Sequence, residues 1–142
     1  MTGTRRRPWS AVLLAACGLV LIGMGFYFAF ARPPLLNEDE RFIGVPLTGL
    51  REVAPEIATW LRRVFWVMGG YMAATGILTV HLARTGFRDR RRNSWVAALL
   101  AGVSSVGVMA VVNFAIDSDF RWALLGLSGL WAAALTAFAI GR

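Results

Sequence analysis

The stretch Val64-Phe-Trp-Val-Met-Gly-Gly-Tyr-Met-Ala-Ala-Thr-Gly-Ile-Leu-Thr-Val-His-Leu-Ala83 runs for twenty residues without an Asp, Glu, Lys or Arg. A helix rises about 1.5 Å per residue, so about 20 residues cross the roughly 30 Å hydrocarbon core of a bilayer. Three other runs share this character: Pro8–Ala31 and Asn93–Ile116, of 24 residues each, and Trp122–Gly141, of 20. All 23 charged residues of the 142-residue chain crowd into the 54 that remain.

A chain that is 57% apolar with a mean hydropathy of +0.59 is too apolar for an ordinary soluble domain. None of the four runs alternates apolar with polar side chains, which excludes the strands of a transmembrane barrel. The expected fold is therefore all-α: a polytopic membrane protein, one four-helix bundle over residues 1–142. Its spans are expected at about 8–31, 64–83, 94–116 and 121–140, with an outer loop at 32–63.

The charges also predict orientation, because loops on the cytoplasmic side retain basic residues. Arg5, Arg6, Arg7, Arg84, Arg88, Arg90, Arg91, Arg92 and Arg142 face one side with only Asp89. Arg32, Arg41, Arg51, Arg62, Arg63 and Arg121 face the other with seven carboxylates, so +8 stands against −1. Both termini are expected in the cytoplasm and the chain in the cell (inner) membrane. The formal charge of +7 thus encodes orientation, and nucleic acid is not an expected partner. All fifteen basic residues are Arg, which reflects a coding bias more than chemistry.

Leu14-Ala15-Ala16-Cys17 resembles a lipobox, but fourteen further apolar or small residues follow Cys17, and an uncleaved first span is the expectation. One cysteine allows no intramolecular disulfide or CxxC pair. One histidine, His81, allows no bis-histidine haem within a chain, so no cofactor or metal is expected.

In the outer loop, Pro33-Pro34 ends the first span, and Asn37-Glu38-Asp39-Glu40 has capping-box spacing, with Asn37 as the cap and Glu40 three residues on. The three consecutive carboxylates diverge in any regular backbone, which argues for a solvated turn over a cation site. Leu50, Val53, Ile57, Trp60, Leu61 and Val64 recur at helical spacing. They predict a short amphipathic helix, Ala54–Arg63, on the outer interface and running into the second span, with Trp60 and Trp66 at headgroup level.

Lipid gives helices no hydrophobic reason to associate, so packing depends on small residues and a few polar contacts. Gly69-xxx-Ala73 and Gly70-xxx-Ala74, with Gly76 on the first of these lines, allow close approach to the second span from two sides and mark it as the expected central helix. On the third span Ala98, Gly102, Val106, Met109, Asn113 and Asp117 align. Arg62 enters from the same outer end, and an intramembrane amide must find a partner. The sequence therefore predicts a polar cluster of Arg62, Asn113 and Asp117, joined by Asp119 and Arg121. It serves either as structural glue between helix ends or as a ligand or ion site. Tyr71, Thr75 and Thr79 are read as ordinary helix positions, with Thr hydroxyls bonded to their own backbone.

No nucleophile, base or metal set is presented together, so catalysis is not expected. Two classes remain: a helix-packing accessory or assembly subunit, with the bilayer and a membrane-protein partner or a second copy as partners, and a small carrier or channel that uses the outer polar cluster. The second span, with Arg62, then Gly69-Gly70, then Gly76, is similar to the pattern of small four-helix bacterial membrane proteins of the DoxX-like kind, many of them uncharacterised. That resemblance implies a membrane subunit working near respiratory quinone chemistry.

Overall fold

The computed structural model describes residues 8–141. Arg5, Arg6, Arg7 and Arg142, which carry part of the orientation argument, lie outside the described residues. Among the described residues, four helices are long and apolar enough to cross a membrane: Trp9–Ala31, Ile57–Phe87, Arg92–Ala115 and Arg121–Ala139. They are the first to fourth spans, and they make the chain an all-helical, multi-pass membrane protein. Successive spans run antiparallel, so the 84–92 turn marks an arginine-rich end and the 32–56 segment and 116–120 turn mark the opposite, loop end.

The second span is longer than its charge-free core. Its helix begins at Ile57 and passes through Arg62 and Arg63 without interruption. The expected run of the Ala54–Arg63 helix into the second span is present, with the helix starting at Ile57 instead of Ala54. The cause is local: Arg is a good helix former, and no Pro or Gly separates Ile57 from Val64. Two other short helices occupy the loop, Asn37–Ile43 and Leu47–Val53. The first stops at Gly44, whose φ of 75° is the left-handed conformation that glycine adopts freely.

The first span, not the second, is central. It packs along the second span and also against the fourth, while the third packs on the fourth. The second span meets the third at the arginine end, through Ile57–Phe87 and Arg92–Gly102, with no comparable contact to the outer half, Val108–Ala115. The small residues of the second span explain half of this. A Cβ on Gly69 would lie 2.5 Å from Gly25 O, and one on Gly76 would lie 2.5 Å from Gly18 O. Reciprocally, a Cβ on Gly25 would meet both Gly69 O and Ala73 N at 2.6 Å. The backbones touch, as small residues permit in a membrane. Gly70 has nothing within 4 Å of where a Cβ would be, and Ala74 is exposed, so the second small-residue line is bare.

Indole groups join the third and fourth spans. Trp131 Nε1–H donates to Ala98 O at 3.0 Å and Trp95 Nε1–H donates to Leu135 O at 3.1 Å, one bond in each direction across the interface. Trp131 lies over Gly102, where a Cβ would come within 2.4 Å of Nε1. The core between the spans is apolar: Leu14, Cys17, Leu21, Phe87, Val106 and Trp131 are all nearly or fully buried.

Candidate functional site

The polar groups of the loop end assemble around Glu38, a residue the sequence reading placed in a solvated turn. Glu38 sits in the first turn of the Asn37–Ile43 helix and is 7% exposed. Its Oε2 accepts from Ser118 Oγ–H at 3.0 Å and from Asp119 N–H at 2.9 Å. Ser118 is fully buried, and its oxygen in turn accepts from Phe120 N–H at 3.2 Å. One turn of helix after Glu38, Arg41 Nη2 meets Asp119 Oδ1 at 2.7 Å. The loop helix is therefore clasped onto the hairpin between the third and fourth spans at two points.

The three neighbouring carboxylates do diverge, but each has a partner. Asp39 Oδ2 accepts from Leu36 N–H at 2.7 Å, which caps the helix one residue earlier than the Asn37–Glu40 spacing suggested. Glu40 Oε2 reaches Leu47 N–H at 3.4 Å, at the start of the next short helix. Both serve the orphan donors that every helix N-terminus leaves. An open depression beside them is lined by Asn37, Glu40, Arg41, Gly44, Val45 and Pro46.

The expected cluster of Arg62, Asn113 and Asp117 is not brought together. Asn113 Nδ2 donates to Met109 O at 2.9 Å, four residues back on its own helix, which satisfies an isolated amide without a neighbour. Asp117 forms an ion pair with Arg121, the first residue of the fourth span, and adopts a positive φ of 53° that closes the tight turn. Arg62 is exposed. The second span does not lie against the outer half of the third, so no surface of it faces Asn113. Asp119 does join a loop-end network, with Arg41 and Glu38 in place of Arg62, while the Arg121 guanidinium pairs with Asp117. Glu38 and Arg41 were missed because a charge run does not show which carboxylate is buried; Ser118, between two Asp in a turn too short to shield itself, was the available signal.

Hydrogen bonding by Asp119, and then its charge, holds the Arg41 guanidinium above its ordinary pKa. Arginine is protonated throughout the physiological range in any case, so Arg41 does not titrate the clasp. Arg41 and Asp119 are 54% and 69% exposed, so their pair contributes little beyond geometry. The buried Glu38 contacts carry most of the docking. Elsewhere, Arg32 at the end of the first span lies 4.0 Å from the centroid of Phe65 and 5.3 Å from that of Phe28, pinning the first and second spans together at this end. Thr75 bonds Tyr71 O at 2.8 Å, as expected for a helix-satisfied hydroxyl.

Among the described residues, no group of three or more His, Cys, Asp and Glu is placed to hold a metal ion. The clasp holds a carboxylate, hydroxyl, amide and guanidinium in mutual bonds, an arrangement suited to fixing a loop. A comparison of the chain with protein-family models, curated proteins and solved structures gives no match.

Proposed function

We propose that the protein is a non-catalytic helix-packing subunit of a larger membrane assembly, seated in the cell membrane with both termini in the cytoplasm. The observation that carries this reading is the one-sided use of the second span. Gly69, Ala73 and Gly76 are consumed by the first span, whereas Gly70 and Ala74, one residue further round, present a close-approach surface that nothing among the described residues covers. Close approach favours another helix over lipid tails, because small residues let backbones meet. The apolar middle of the bundle, lined by Leu14, Cys17, Leu21 and Val106, supports the packing role over that of a carrier. The same reading fits the DoxX-like resemblance of the second span, whose implied setting is a membrane subunit near quinone chemistry.

The test is extraction from native membranes in mild detergent, with identification of the proteins that copurify. A defined partner, retained by the wild-type chain and lost on Gly70→Leu, supports the proposal. A homogeneous species without partner overturns it.

A further inference from the structure

The arginine end carries a charged feature that neither the clasp nor the packing uses. The second and third spans are joined there by a turn that its own backbone holds shut: Asp89 N–H donates to Thr85 O at 3.0 Å, Arg90 N–H to Phe87 O at 3.1 Å and Arg91 N–H to Gly86 O at 2.8 Å. Arg90 takes a φ of 57°, its guanidinium 4.8 Å from the Phe138 ring centroid and donating to Phe138 O, so it is committed to anchoring the turn on the fourth span. Asp89, the one acidic residue of the 84–92 turn, lies 4.0 Å from Arg91. Arg84, Arg88 and Arg92 remain: all are exposed, and none has a carboxylate partner among the described residues.

This concentration is electrostatically unfavourable as it stands. Arg92 opens the third span, with Arg91 as its cap and no acidic residue in its first turn, so cations sit at the positive end of a helix. A negative group is what the site lacks. The depth of the site selects its source, because Arg84 lies on the last turns of a membrane span and exposed apolar side chains, Leu78 and Leu100, follow within a few turns on either helix. We infer that Arg84, Arg88 and Arg92 form a docking site for the phosphate of an anionic phospholipid, whose acyl chains lie along the adjoining spans.

The chain is tested in detergent micelles doped with equal amounts of phosphatidylglycerol and phosphatidylcholine, with bound lipid counted by native mass spectrometry. Three lost arginine–phosphate contacts predict about a tenfold or greater enrichment of phosphatidylglycerol on the wild-type chain, falling to near parity in the variant R84Q/R88Q/R92Q. A matched loop-end variant, R51Q/R63Q, keeps the enrichment if the site is local. Should the triple variant fail to fold, as judged by its helical circular dichroism, R88Q alone is expected to lower the enrichment measurably. Equal enrichment in wild-type and variant chains, or equal loss with R51Q/R63Q, overturns the proposal. Inorganic phosphate at millimolar concentration is the remaining arm: displacement of the lipid by it at equal concentration shows an anion site without lipid character, which also overturns it.

Discussion

The two halves of the bundle are held together by different means. The first and second spans meet through glycine, Gly18 and Gly25 against Gly76 and Gly69, with backbone on backbone. The third and fourth meet through tryptophan, Trp95 and Trp131 each donating an indole N–H to a carbonyl of the other helix. Without water to drive association, both solutions use what lipid cannot offer, close van der Waals fit in one case and a polar bond in the other. The first tolerates no added volume, and the second tolerates volume only where the indole is not displaced.

The largest effect is expected from Gly76→Leu. Its side chain would have to enter where even a Cβ lies 2.5 Å from Gly18 O and 2.8 Å from Ile22 N, both of them backbone atoms that cannot swing aside. Separation of the first two spans, with a loss of about 3 kcal/mol or more, is expected, the upper range for overpacking. Thermal unfolding in detergent measures it, and an unchanged midpoint would show that this interface is not close-packed.

Gly102→Ala tests the tryptophan half. The added methyl collides with the Trp131 indole, which is 2% exposed and bonded to Ala98, so it can turn away only by giving up that bond. A cost of about 1 to 3 kcal/mol follows, from strain together with one interhelical bond. Tryptophan fluorescence reports whether the ring moves; a shifted spectrum with little loss of stability would mean that fit dominates the bond.

Both interfaces bear on what the sequence could reveal. The four spans were legible because bilayer thickness forces a charge-free run of fixed length. The spacing of seven shared by Gly18…Gly25 and Gly69…Gly76 is also present in the sequence, but a line of small residues shows that a helix can be approached closely and not which of two facing helices is central. The charge-free run does not mark the start of the second helix, because the membrane boundary ends a hydrophobic run without ending a helix, but the apolar spacing from Leu50 to Val64 carries the helix back to within a turn of Ile57. The Arg62, Asn113, Asp117 cluster failed for a related reason: a helical wheel gives the depth and face of each residue but not which helix lies opposite. Glu38 was hidden altogether, since its burial depends on a hairpin about 80 residues away in sequence.

That long-range contact predicts a third, smaller effect. Glu38→Gln keeps one acceptor oxygen but removes the charge that strengthens both bonds, at a cost of about 1 kcal/mol. The loss is local, so hydrogen exchange at 37–43 should quicken while the spans stay protected. Glu40→Gln is the comparison: its 3.4 Å bond to Leu47 is long and exposed, and exchange there should change less.

The smallest effect on the chain itself, and the one most informative about its role, is expected at Gly70. It adjoins Gly69 in sequence, yet the two face different surroundings: Gly69 is pressed against Gly25 and Ala29, and Gly70 against nothing. Gly70→Ala should therefore change the stability of the isolated chain by less than about 1 kcal/mol, in the stabilising direction, because alanine restricts the unfolded backbone without meeting a neighbour. Gly69→Ala should destabilise it, since one methyl already overlaps the backbone of the first span. If both alanine variants are destabilising in detergent, the bare line is already covered, most simply by a second copy, and the stability of Gly70→Ala should then depend on protein concentration. If Gly70→Ala is neutral in the purified chain but releases a copurifying protein from native membranes, the two faces of one helix divide the work, one closing the bundle and the other recruiting its neighbour.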